Sequence, residues 1–166
     1  MALQSYVPAM SQRHKDEFER IKREHDTVVL LLLDKKVLRH GSTQVSKTKN
    51  SGVFNFDPLL LESAVVNASD AYSLLLIAVS EGYMRSFLDS VGVKHGNEPK
   101  LSNLINQCRK EYNSRKFGIP ISLKASSDLH LLRQQRNTYA HGYGSSVFPP
   151  IDSIVAILGR FFDRLP

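Results

Sequence analysis

A chain of 166 residues is long enough to bury one hydrophobic core and too short for two comfortable domains. With 42% apolar and 23% charged residues it has the make-up of a folded globular protein and not of a disordered tail. The lone cysteine, Cys108, excludes an internal disulfide and points to a reducing compartment, and "NLINQCRKEY" around it holds no metal-ligand spacing, which leaves a zinc site without support.

The net charge of +6 is concentrated. Lys94 to His141 holds nine Lys/Arg against three acids, while the other 13 basic and 13 acidic residues cancel. A local excess of this kind suits a polyanion. The first twenty residues lack the apolar stretch of a secretory leader. The longest apolar runs, "TVVLLLL" and "SLLLIAV", fall short of the roughly 18 residues that span a bilayer. A cytoplasmic protein with no membrane partner is the expectation.

In chain order, Ser11 to Arg39 reads as a long helix with Ser11 as N-cap and Gly41 as terminator. Phe18, Ile21, His25, Val28, Val29 and Leu32 recur at helical spacing. Its charged first half is expected to protrude or pair with another surface, and its apolar second half to be buried. Residues 40–57, rich in Ser, Thr, Gly and Asn, form a loop. Asp57 then caps a second helix that starts at Pro58, runs to about Val91 and stops at Gly92. Its middle, Leu74 to Val79, is apolar on every face, which makes it the central helix of a bundle.

"VKHGNEPK" links to a third helix with Leu101, Leu104, Ile105 and Cys108 on one face. "GIPIS" interrupts, and a fourth helix carries Leu129, Leu132 and Tyr139 up to a Gly142 cap. The last helix begins at the second proline of "FPP". Neither period-two alternation nor an Asn-Gly hairpin signal occurs. The expected architecture is one all-α domain over 1–166, an up-and-down bundle of about four long helices and a short one.

The chemistry gathers at the end of the fourth helix, in "LRQQRNTYAHGYGSS". Arg136 and His141 stand five residues apart, about 140° on an ideal helix. Gly142 places the histidine at the terminus, where its ring can swing over the end. RNA cleavage by transesterification would use these two side chains. An imidazole titrating near neutrality removes the proton of the 2′-hydroxyl or protonates the 5′-oxygen. A guanidinium offers a fixed donor fork to the phosphate. Asn137 would orient the histidine or contact phosphate. No metal or other cofactor is called for. One histidine serves poorly as both acid and base, so two copies across a two-fold axis are expected to share one cleft.

Glu81, Arg85 and Asp89, spaced i, i+4, i+8, form an ion-pair ladder on the second helix. If that face is buried, Glu81 supports Arg136 from behind. Arg133, Lys124, Arg115 and Lys116 are the candidate RNA-binding cations. His25, His40, His95 and His130 read as bystanders, His130 being the one to watch because it precedes Arg136 by six residues.

Arg136-Asn137-Thr138-Tyr139-Ala140-His141, closing the penultimate helix of an all-α chain, resembles the signature of the HEPN superfamily. The resemblance covers the helical layout, but in specific residues only 136–143. It implies a dimeric, metal-independent endoribonuclease, commonly a toxin or an antiviral defence effector. Tyr143 extends the match to R-x-x-x-x-H-x-Y. This form resembles the toxins of HEPN/MNT pairs, in which a nucleotidyltransferase antitoxin adenylylates the tyrosine. Against those compact toxins, the loop at 40–57 and the segment at 93–121 read as insertions. The rival reading is a HEPN-like module that binds RNA or a protein without cutting. A helix-turn-helix DNA binder is disfavoured, because no short helix pair with a polar recognition face is evident.

Overall fold

The computed structural model describes residues 7–37, 58–96, 100–140 and 148–165. Among them the regular elements are five helices: α1 (Val7–Val37), α2 (Pro58–Ser90), α3 (Leu101–Ser114), α4 (Leu123–Ala140) and α5 (Ile151–Phe162). No strand occurs among the described residues, and the chain is an all-α bundle.

The apolar middle of α2 makes it the hub, in contact with all four other helices. Leu76, Ile77, Met84, Phe87 and Leu88 are buried along it, each worth roughly 1.5–3 kcal/mol of transfer free energy. By length and composition alone, Glu62–Ser90 is also apolar enough to cross a bilayer, although no uninterrupted apolar run within it approaches that length.

Paired contacts fix the helix directions. His14 of α1 stacks on Tyr83 of α2 while His25 reaches Ser69, so α1 and α2 are antiparallel. Cys108 donates to the Met84 carbonyl and Arg115 Nη2 to that of Val91, so α3 runs in the same sense as α2. The chain reverses between them at Gly92 (φ 74°). There the Val93 N–H bonds Leu88 O and the Gly92 N–H bonds Asp89 O, the paired bonds that end a helix around a left-handed residue. Asn113 exchanges two hydrogen bonds with Ile121 and turns α4 back along α3. Salt bridges Lys15–Asp163 and Lys22–Asp152 lay α5 antiparallel to α1. The bundle therefore alternates except at the step from α2 to α3. Leu104, Ile105 and Cys108 are fully buried, so α3 belongs to the core.

Two expectations for the first helix are corrected. Ser11 does not cap it, since α1 already runs from Val7. The halves are also reversed: His14, Phe18, Ile21 and His25 are buried, whereas Leu30, Leu31 and Leu33 are 64%, 59% and 42% exposed. Topology explains the reversal. Antiparallel pairing sets α1 residues 14–25 opposite the part of α2 that α3, α4 and α5 also cover. Asp152, in the first turn of α5, already pairs with Lys22, so the later residues of α1 extend past that helix. The last helix starts at Ile151, with Pro150 in the capping position. Gly41, the 40–57 loop, Asp57 and Gly142 lie outside the described residues.

Candidate functional site

Arg136 lies in the last turns of α4, on the side that faces α2, and its Nη1 donates to Glu81 Oε1 from 55 residues earlier. The pair sits at the edge of the core, with 37% of the arginine side chain and 21% of the glutamate exposed. One amine of the guanidinium is thereby fixed while more than a third of the side chain stays open to solvent. This is the support that the spacing along the second helix anticipated. The ladder itself takes another form at its far end, where Asp89 Oδ1 lies 3.0 Å from His95 Nε2 without hydrogen-bond alignment. Arg85 is half-buried one turn beyond Glu81.

Asn137, about 100° further round α4, is exposed. Tyr139 packs on Phe148 with ring centroids 5.7 Å apart, which holds the end of α4 against the segment leading into α5. His141 and Tyr143 lie outside the described residues. Arg133, one turn before Arg136, is half-buried, and its Nε is enclosed without a hydrogen-bond partner.

The other candidate RNA-binding cations are not brought to Arg136. Lys124 lies at the opposite end of α4, about 18 Å away at 1.5 Å per residue. Arg115 and Lys116 occupy the turn before it. Arg115 is committed to the fold, through the Val91 carbonyl at 2.8 Å and Glu111 at 3.3 Å.

The histidines divide sharply. His130 Nε2 meets Asn106 Oδ1 at 3.1 Å, and burial, followed by the Arg133 charge, lowers its pKa. His25 is no bystander: Nδ1 lies 2.9 Å from Asp26 Oδ1 and Nε2 lies 3.0 Å from Ser69 Oγ. That connectivity matches a hydrolase relay, but Ser69 sits inside α2, where neighbouring backbone N–H groups are spent on the helix and leave no oxyanion hole. It braces α1 against α2.

His14 was missed by sequence reasoning. It is 1% exposed, neither ring nitrogen has a hydrogen-bond partner, and desolvation with help from Arg13 drives its pKa down to about 4. The signal was present, since His14 continues the 4–3–4 spacing of Phe18, Ile21 and His25 toward the N-terminus.

Cys108 is enclosed, and burial pushes its thiol far above the usual range. Among the described residues no three His, Cys, Asp or Glu side chains gather as a metal-binding set. No protein-family model, curated protein or solved structure matches the chain.

Proposed function

We propose that the protein is an endoribonuclease of the HEPN type, cutting RNA without a metal at a cleft shared by two copies of the chain and acting as a toxin or defence effector. The Glu81–Arg136 pair is the observation that carries the proposal. A carboxylate from the central helix fixes a guanidinium at the end of the helix that leads into the motif, with over a third of that side chain open to solvent. A clamp for a phosphorane needs this arrangement: one face of the fork held rigid, the other free.

In this reading Arg136 neutralises the developing charge and Asn137 orients the histidine or the phosphate. His141 moves the protons between the 2′-hydroxyl, which attacks phosphorus, and the 5′-oxygen, which leaves. Two copies supply two imidazoles, one taking the proton and one giving it. Tyr143 is the residue on which a nucleotidyltransferase antitoxin would place AMP, setting an anion where substrate phosphate binds.

A second reading, binding without cutting, draws on a different observation: Lys124 is exposed at the opposite end of α4, about 18 Å from Arg136. The test that separates the two is cleavage of a labelled RNA in EDTA, with Arg136→Lys and His141→Ala prepared in parallel. Cutting by the wild-type dimer, lost in both variants at unchanged helicity and dimerisation, supports the nuclease. Cutting that survives in His141→Ala, or a wild-type protein that is monomeric at micromolar concentration, refutes it.

A further inference from the structure

A second cluster of charge lies at the other end of the bundle. Three chain turns meet there. The turn after α2 is tied to the turn after α3 by the Arg115 Nη2 bond to Val91 O. The start of α4 is tied to the end of α3 by the reciprocal Asn113–Ile121 bonds. The segment after α5 joins them, because the Arg160–Asp128 salt bridge sets the end of α5 beside the start of α4.

Five exposed cations project from these segments: Lys94, Lys110, Lys116, Lys124 and Arg164. None of them has a carboxylate within 4.0 Å among the described residues. Of the acids nearby, Glu111 pairs with Arg115 and Asp163 with Lys15, while Asp89 lies 3.0 Å from the His95 ring. Like charges crowded at one end repel one another in the free protein, and an anion that neutralises several at once relieves this. Between them stand two large apolar side chains, Ile119 at 66% and Leu123 at 68% exposure.

We infer that this basic end is a binding site for single-stranded RNA, separate from Arg136. The cations supply backbone phosphate contacts, and Ile119 and Leu123 supply apolar surface for base faces. A strand is favoured over an acidic peptide because the surface is the outside of a turn. Ile119 and Leu123 stand proud of it and do not line the recess that an amphipathic peptide helix needs. Separated cations on a convex end suit a flexible chain of phosphates. The inference does not require the nuclease reading, but combined with it sets a substrate length. Reaching from Lys124 to Arg136, about 18 Å, takes about five nucleotides of a strand stacked at roughly 3.4 Å each.

The experiment is fluorescence anisotropy of a labelled 12-nucleotide 2′-O-methyl RNA, which has no free 2′-hydroxyl and so reports binding whether or not the protein cuts. With five phosphates neutralised, log Kd against log salt should have a slope of about 3.5, at roughly 0.7 per contact. The Lys110→Gln/Lys116→Gln/Lys124→Gln variant should bind more than tenfold more weakly, with the slope reduced by about 2. Arg23→Gln, an exposed cation near the His25–Ser69 contact at the far end of the bundle, should change affinity less than twofold. The inference is overturned if the triple variant binds like wild type, if Arg23→Gln weakens binding as much as the triple variant does, or if an acidic peptide binds this end and RNA does not displace it. Binding that behaves as described, in a protein that cuts no RNA, would uphold this site and reject the nuclease. Cutting that ignores the triple substitution at limiting RNA, with wild-type affinity, would do the reverse.

Discussion

Removing the imidazole of His14 should flatten the acid limb of the stability curve. The ring is enclosed by Tyr83 at 3.8 Å and Phe162 at 5.6 Å between centroids, with Phe18 closing the aromatic cluster. Arg13 is the charge that acts on it, while Glu17 acts on the neighbouring Tyr83 and Lys15 pairs with Asp163. In the unfolded chain it titrates near 6.5, and in the fold at about 4. Between those values the unfolded chain holds a proton that the fold excludes, so stability rises with pH across the window. The contribution is complete above pH 6.5 and is lost as pH falls toward 4. A gap of roughly 2.5 units at about 1.4 kcal/mol each makes it about 3 kcal/mol. His14→Leu keeps similar volume, removes two unpartnered nitrogens and does not titrate. Urea unfolding of both proteins at half-unit steps from pH 7 to pH 4 is the assay. Carboxylates common to both cancel in the difference, which should shift by about 3 kcal/mol in favour of the variant as the pH falls. Parallel profiles would show that the fold excludes no proton from His14.

Glu81→Ala should lower Tm by only about 2–4 °C, since Arg136 is more than a third exposed and such a pair is worth at most about 1 kcal/mol. It should nevertheless reduce RNA cleavage at least tenfold, and equal losses in Arg136→Lys and Glu81→Ala would tie the carboxylate to the guanidinium. Lys116 is the one non-glycine residue with positive φ among those described (53°), so Lys116→Gly should raise stability by up to about 1 kcal/mol in a chemical melt. The Cys108 thiol should remain inert to an aromatic disulfide at pH 8 until denaturant is added, because burial disfavours its thiolate.

Much of the helix layout was legible because its signals are local. Pro58 and Gly92 bound α2 where the sequence put them, and the Leu101–Leu104–Ile105–Cys108 stripe faces inward as its spacing demands. The halves of α1 were misjudged because composition says what a helix can bury, not which neighbour will be there to cover it. The Leu30–Leu33 region is the more apolar half, yet it lies past the start of α5.

At the candidate site, Glu81 was within reach of sequence reasoning, since a carboxylate on a central helix needs a cation and Arg136 faces inward from the motif helix. The division of the basic residues was not legible. Arg115 and Lys124 carry like charge in the sequence, and the Val91 carbonyl together with Glu111 distinguishes the committed cation from the available one. The Ser69–His25–Asp26 brace joins residues 44 apart and has no local signature.

Whether this chain cuts RNA by transesterification at Arg136 and His141, as we propose, is decided by mass spectrometry of a defined oligoribonucleotide after incubation with wild-type protein and with His141→Ala, both in EDTA. Wild type should give fragments ending in a 2′,3′-cyclic phosphate or a 3′-phosphate, with His141→Ala slower by about 10²–10⁴-fold. Intact oligonucleotide with wild-type dimer, or 3′-hydroxyl ends that appear equally with both proteins, would contradict the proposal.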